Sequence, residues 1–308
     1  MDTFLNDDGP FIILNSEYEI QMEEYETERA SLWVVEGDII RPSTNISIQQ
    51  KLSPGVYDVN ISRDYGIYCK KVNIKSDELI VFSDSIVTNL IQEINLFWDK
   101  KDLYKDNKLI HKRGILLEGY PGTGKTSIIS LLAEEIIKRN GIVFNISSAN
   151  NLAIYIDFIT NSFRLIEPET PIISIIEDID KFGGEDTLLY FLDGKNNIDH
   201  HVVIATTNNT QDIPDAFLRP SRIDLRIEIP LPSEKIRREF FSKKNLNEEE
   251  VNILVEKTDE LSLADLKEIY ITTFLLGYTI EESLEKVINI RAKRNYKSKN
   301  LSKNKLGL

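Results

Sequence analysis

Apolar positions along the chain fall into two regimes, and the texture changes at Ser83. From Leu32 to about Val81, short apolar runs are broken by turn residues: SLWVVEGDII, SPGVYDVNIS, YGIYCKKVNI and ELIVF. Short runs rich in β-branched and aromatic residues predict strands, with Pro54-Gly55 and Asp64 to Gly66 as turns. After Ser83, the residues Ile86, Leu90, Ile91, Ile94 and Phe97 recur at helical spacing behind a Ser/Asp start suited to an N-cap. A Lys/Asp-rich linker follows (DKKDLYKDNKLIHKR). Beyond it, the apolar runs GILLEG, GIVFNIS, PIISIIED and HVVIATTN alternate with helical patterns such as TSIISLLAEEIIKR and the stretch near 151–166. Near-continuous apolar strands separated by helices predict a parallel sheet covered on both faces. From Ser233 almost to the end the pattern is helical. The predicted fold is therefore α/β: a β-rich N-terminal domain over 1–82, an α/β domain over 83–232, a helical domain over 233–290 and a tail over 291–308. No internal repeat is present.

Composition narrows the picture only modestly. The chain has 308 residues, with 41% hydrophobic and 28% charged positions, as in an ordinary globular protein. Its single cysteine, Cys69, allows no disulfide within one chain, which predicts a reducing compartment. The opening lacks the basic start and apolar run of a signal peptide, and no run approaches the ~18 apolar residues of a membrane helix. The expectation is a cytoplasmic protein with no membrane contact. Net charge is −13, which argues against nucleic-acid binding by the whole surface. The charge is uneven, however: residues 1–40 hold eleven acids against Arg29, and residues 291–308 hold seven basic groups and no acid. Like-charge blocks usually form solvated ends, and the basic tail is also a candidate for touching a neighbour's acidic segment or nucleic acid.

Chemistry enters with Gly119-Tyr120-Pro121-Gly122-Thr123-Gly124-Lys125-Thr126, followed by Ser127. It fits G-x-x-x-x-G-K-[ST], follows a predicted strand and opens a predicted helix, the context that a phosphate-binding P-loop requires. Glycines let backbone N–H groups face phosphate oxygens, and the helix N-terminus adds a favourable dipole. Lys125 would reach the β- and γ-phosphates, and Thr126 would ligate Mg²⁺. The cofactors implied are ATP and Mg²⁺. A second apolar strand, IISII, delivers Glu177 and Asp178 to its carboxyl end, 53 positions after Lys125. Neighbouring strand residues point to opposite faces, so the two acids should divide the work. One joins the metal shell and the other polarises the attacking water. Asn208, at the end of HVVIATTN, can orient that water. Arg219 and Arg222, in DAFLRPSRID, form either a surface pair or a trans-acting site on a neighbour's phosphate. Asp180 is placed to cap the helix after it. His111, His200 and His201 form no metal-ligand spacing with Cys69.

In this order the segments resemble the AAA family of ATPases over about residues 83–290. GYPGTGKT is similar to its Walker A, IIEDID to its Walker B, TTNN to its first sensor, FLRPSRID to its arginine-finger segment, and Leu261 to Leu266 to its lid-helix motif. The resemblance implies ATP hydrolysis in a homo-oligomeric ring, with Arg219 and Arg222 acting on the adjacent subunit's nucleotide. By position in the family, Glu177 belongs to the metal shell and Asp178 to water activation, although most members carry Asp before Glu. It also implies mechanical work on a protein client, selected here by the N-terminal domain. Tyr104 and His111 are candidates for the adenine pocket by the same likeness. Within the family, IIEDID, VFNISSANNL, LLYFLDG and KLIHKRGILLEG resemble the mitochondrial translocases that assemble the Rieske protein into the cytochrome bc complex, without their membrane helix. Leu263 stands where the lid motif usually has Gly. SSANNLAIYID lacks the aromatic-x-Gly pore loop, and Tyr155 falls in an apolar helical pattern that places it in the core. An ATP-dependent nucleic-acid factor and a nucleotide-switched scaffold are the alternatives.

Overall fold

A computed structural model describes residues 32–36, 39–43, 50–62, 66–72, 85–183, 185–193 and 198–291. The chain divides into two compact units, 1–49 and 50–308. In the first, β1 (Leu32–Glu36) pairs antiparallel with β2 (Ile39–Ser43), so that Leu32 faces Ser43.

The second unit is built on one seven-stranded sheet. In chain order its elements begin with the hairpin β3 (Gly55–Ser62) and β4 (Gly66–Val72), then helices α1 (Ser85–Asp99) and α2 (Lys101–Asp106). Next come β5 (Lys112–Glu118), α3 (Lys125–Lys138), β6 (Ile142–Asn145), α4 (Ala149–Phe158) and α5 (Arg164–Ile166). They are followed by β7 (Ile172–Ile176), α6 (Glu185–Leu192), β8 (His201–Thr207) and β9 (Leu225–Glu228). The strand order is β4-β3-β6-β7-β8-β5-β9, parallel throughout except for the β3–β4 pair. The α/β class with a parallel sheet is thus what the apolar runs predict.

Strand alternation divides the core cleanly. On β8, Val203 and Ala205 join the face covered by α4 and α6, whereas Val202 and Ile204 join the face covered by α1 and α3. Every residue of β7 and β8 is buried, which is why both read as continuous apolar runs rather than alternating ones. Leu90, Ile94 and Phe97 put the buried stripe of α1 against the second face.

The grouping of β3 and β4 is visible only in three dimensions. The sequence pattern places them with the N-terminal strands. In the structure β3 lies parallel to β6, with Val56 opposite Val143 and Asp58 opposite Asn145. Tyr57 packs its ring on Phe144 at 6.4 Å. The hairpin therefore extends the central sheet. ELIVF and the Ser83/Asp84 start lie outside the described residues. The polar linker contains a helix, α2, stabilised by local bonds such as Tyr104 N–H to Lys100 O at 3.3 Å and burying none of its residues.

After Ser233 come α7 (Glu234–Ser242), α8 (Glu248–Lys257) and α9 (Leu263–Tyr270), with residues 280–291 helical again. Their starts are marked locally. Ser233 accepts from Ile236 N–H, and Asn247 with Glu250 and Ser262 with Asp265 form reciprocal capping boxes. Phe240, Phe241, Leu254, Leu266 and Ile269 make a separate helical core, the lid. The lid meets the sheet domain at the glycine turn, where Ala264 N–H donates to Gly122 O at 3.1 Å.

Candidate active site

The turn 119–124 joins the end of β5 to the start of α3, at the carboxyl edge of the sheet. Gly122 (φ +82°) and Gly124 (φ +98°) adopt left-handed backbone that side chains resist. Space is equally short: a Cβ on Gly122 would stand 2.8 Å from Ala264 Cβ, and one on Gly124 3.2 Å from Leu263 Cδ1. The turn is therefore glycine-rich both for its own shape and for the lid helix lying on it. Leu263, the departure from Gly in the lid motif, is the first residue of α9 and lines the cavity beside the turn.

Lys125 is the hub. Its Nζ donates to Gly119 O at 2.7 Å, Tyr120 O at 3.0 Å and Asn208 Oδ1 at 2.8 Å. Burial pushes its pKa down, and Asp178, Asp180 and Glu177 oppose that shift. Gly119 and Tyr120 thus contribute carbonyls to the lysine, while Pro121, Gly122, Thr123, Gly124, Lys125, Thr126 and Ser127 line the cavity itself. Thr123 turns inward and donates its hydroxyl to Tyr120 O at 2.9 Å.

The two acids lie just past the end of β7, in the turn that follows, and make different contacts. Glu177 Oε1 accepts the Thr126 hydroxyl at 3.2 Å. Asp178 sits at φ +49°, its N–H donating to Thr206 Oγ1 at 3.1 Å. Its Oδ1 accepts from Asn208 Nδ2 at 2.9 Å, and its Oδ2 pairs with Lys181 at 2.8 Å. Asn208 therefore bridges Lys125 to Asp178 with its two amide atoms. Asp180 does not cap α6, which begins at Glu185: its Oδ1 accepts the Thr207 hydroxyl at 2.7 Å, tying the turn after β7 to β8.

The arginines part company. Arg222 is fastened in its own chain, with Nε on Asp193 and Nη1 on Ala216 O, and its side chain is 16% exposed. Arg219 is exposed. The loop carrying both is locked to β5. Asp224 Oδ2 accepts from Gly114 N–H at 2.8 Å, Asp224 N–H donates to Gly114 O at 2.8 Å, and Asp224 Oδ1 accepts from Ser221 N–H at 3.0 Å. A Cβ on Gly114 would lie 1.8 Å from Arg222 O, so glycine is what lets the loop approach the strand.

Tyr104 and His111 do not line the cavity. They pack with Phe97, where the imidazole stacks at 3.9 Å and its Nε2 bonds to Phe97 O at 2.8 Å. The cavity's apolar part comes from residues that the motif search misses, among them Val87, Ile229, Ile236 and Phe240. No local pattern marks them, since α1, the end of β9 and α7 bring them together. Asp193, Asp224 and Lys112 carry no motif signal of their own, and their contacts are tertiary. Lys112 donates to Leu192 O, and burial pushes its pKa down to about 8. Tyr155 is buried, its hydroxyl paired with Ser174 Oγ.

The cavity encloses about 880 Å³ and brings a glycine turn, a helix N-terminus, a lysine, a hydroxyl and two carboxylates to one end. That is a phosphate-binding arrangement with an apolar half. Residues 115–231 match the ATPase family associated with various cellular activities (AAA).

The chain carries an AAA ATPase domain.

Several relatives extend the likeness beyond those residues. A proteasome-activating nucleotidase of Saccharolobus islandicus (strain M.14.25 / Kamchatka #1) is 24% identical over 298 residues, covering 85% of this chain and 75% of its own. The 26S proteasome regulatory subunit 4 homolog B of Arabidopsis thaliana is 32% identical over 233 residues, covering 67% and 51%. The 26S proteasome regulatory subunit 6A of Saccharomyces cerevisiae is 28% identical over 219 residues, covering 63% and 50%. The AAA domain makes the chain an ATP hydrolase. Its site fits ATP, and Mg²⁺ as the ion that typically accompanies it. A Cβ would fill the glycine cradle, and the Thr126 hydroxyl and Glu177 carboxylate are the hard oxygen donors that Mg²⁺ takes. Among the described residues, no helix is long and apolar enough to cross a membrane.

Proposed function

We propose that the protein works as a head-to-tail ring in which ATP hydrolysis remodels or translocates a protein partner. The observation that carries the reading is the division of the arginines: Arg222 is held by Asp193 and Ala216, while Arg219 projects exposed from a loop locked to β5. An exposed arginine on a rigid mount suits contact with a second copy's phosphates. Lys125 holds the phosphate end, and Thr126 with Glu177 holds Mg²⁺, which when bound neutralises charge on the phosphate oxygens. Asn208 orients the attacking water and Asp178 accepts its proton, the two being bonded at 2.9 Å. Asp178 is one methylene shorter than the usual glutamate, and its seat at φ +49° sets its reach.

The names of the relatives tie those proteins to the proteasome, and a protein client is proposed here on that likeness. The Rieske-translocase likeness of IIEDID and LLYFLDG favours a folded client over a threaded one, as does Tyr155, which is buried. The N-terminal segment selects the client, in the cytoplasm. The basic tail after Arg291 lies outside the described residues, and its contact with nucleic acid is a separate proposal that deletion of 291–308 tests. Asp178→Asn should bind ATP without hydrolysing it, so it serves as bait in extracts of the native host. A specific protein retained with ATP and lost without it supports remodelling. Nucleic acid retained instead, and released by salt, contradicts it.

A further inference from the structure

The roof helix α9 reaches the glycine turn through its own N-terminus. The first N–H groups of a helix have no partner within it. On α9 the second of them, Ala264 N–H, is given to Gly122 O at 3.1 Å. The cap residue Ser262 is buried and lies against the same glycine, since a Cβ on Gly122 would stand 2.8 Å from Ser262 Oγ. The positive end of a second helix dipole, besides that of α3, therefore lies at the phosphate-binding turn. Asp265 works both for and against this arrangement. Its Oδ2 accepts from Ser262 N–H at 2.9 Å and from the Ser262 hydroxyl at 2.7 Å, which fixes the cap. It also puts a carboxylate, its side chain only 14% exposed, within one helical turn of a site for polyphosphate.

Arg291, at the end of the helix 280–291, meets that carboxylate. Its Nη1 donates to Glu260 O at 2.8 Å, and its Nε lies 3.8 Å from Asp265 Oδ2. One guanidinium thus spans the turn between α8 and α9, where Glu260 sits at φ +57°. Arg291 does not itself line the nucleotide cavity.

We propose that Arg291 is a positioning residue for ATP binding. It clasps the α8–α9 turn and balances the Asp265 charge, so that α9 meets Gly122 without adding net negative charge beside the phosphates. The inference rests on ATP occupying the glycine turn, and adds to that reading a control of affinity from the far end of the lid. A fork of donors suits this place, because one group must reach a carbonyl and face a carboxylate at once.

The test is calorimetric titration of the full chain with a non-hydrolysable ATP analogue and Mg²⁺, beside steady-state ATPase rates. Arg291→Gln should raise Kd and the KM for ATP about fivefold, the scale of one charge near a helix end, with kcat at saturating ATP and Tm close to wild type. Arg291→Lys should recover most of the affinity. Asp265→Asn keeps an acceptor for Ser262 while removing the charge. The double variant Asp265→Asn/Arg291→Gln should therefore return Kd to within about twofold of wild type. A purely structural role for Arg291 would not produce that recovery. The inference is overturned if Lys125→Ala loses binding, yet Arg291→Gln binds as wild type does. It is equally overturned if the loss in Arg291→Gln persists in the double variant. If Lys125→Ala binds the analogue as tightly as wild type, the reading of the glycine turn falls, and the inference falls with it.

Discussion

Lys125, Asn208 and Asp178 form a chain of two bonds, 2.8 and 2.9 Å, linking the start of α3 to the turns after β8 and β7. The P-loop lysine was legible in the sequence because its motif is local: eight consecutive residues fix turn, helix start and charge together. The bridging role of Asn208 was not, since TTNN resembles any polar strand end until β8 and β7 are set side by side. The arginines show the same limit. Arg219 and Arg222 are three positions apart and chemically alike, and it is the hold of Asp193, just past α6, and of Ala216 O on Arg222 that separates them. The structure therefore predicts opposite signatures. Arg222→Ala removes both the ion pair to Asp193 and the bond to Ala216 O, and should lower Tm by several degrees, equivalent to about 1–3 kcal/mol. Arg219→Ala should keep the wild-type Tm and nucleotide affinity while turnover falls by about 10³ or more. Thermal melts and steady-state ATPase rates on the two variants decide it.

At the scale of elements, apolar runs located the strands well, because a strand buried on both faces has no polar alternation to disguise it. Pairing was less legible. Val56, Tyr57 and Val59 are all buried, but nothing within SPGVYDVNIS says that β3 lies beside β6, some eighty residues later. The histidines are a similar case. Without a metal spacing they carried no message, yet His111 and His200 meet Nδ1 to Nδ1 at 2.9 Å under α1, while His201 bonds Ser174 on β7 at 2.7 Å. Burial lowers the pKa of His200 to about 4, with Lys101, His111 and Arg164 adding to the shift and Asp199 opposing it. A histidine whose folded pKa lies below its unfolded value of about 6.5 adds no stability above pH 6.5. As pH falls from 6.5 to 4 the unfolded chain takes up the proton first, so stability is lost across that window, by about 3 kcal/mol for this group. Since His200 sits at φ +53°, Asn is, after glycine, among the residues its backbone tolerates best, and His200→Asn removes the titrating ring. Chemical denaturation at pH 7 and pH 5 should show a smaller acid loss in His200→Asn than in wild type. An equal loss would remove His200 from the explanation.

For the whole molecule, the order of strands, the lid and the glycine turn make a single cavity from parts that lie more than a hundred positions apart, from Val87 to Phe240. The lid was legible as a helical pattern from Ser233 onward, but not as the roof of the site, because the Ala264–Gly122 bond is a tertiary contact. One chain supplies the P-loop lysine, both acids and the bridging amide, and its exposed Arg219 is not among the residues that line its own cavity. The ring reading follows from that division, and mixing two disabled variants tests it most directly. Asp178→Asn keeps Arg219 but cannot activate water, and Arg219→Ala keeps Asp178 but lends its neighbour no arginine. Each alone should be nearly inactive. In an equal mixture, random neighbours in a head-to-tail ring should restore about a quarter of the sites. Turnover that reappears on mixing is the predicted result. A mixture as inactive as its components, or full activity of Arg219→Ala alone, would contradict catalysis shared between copies.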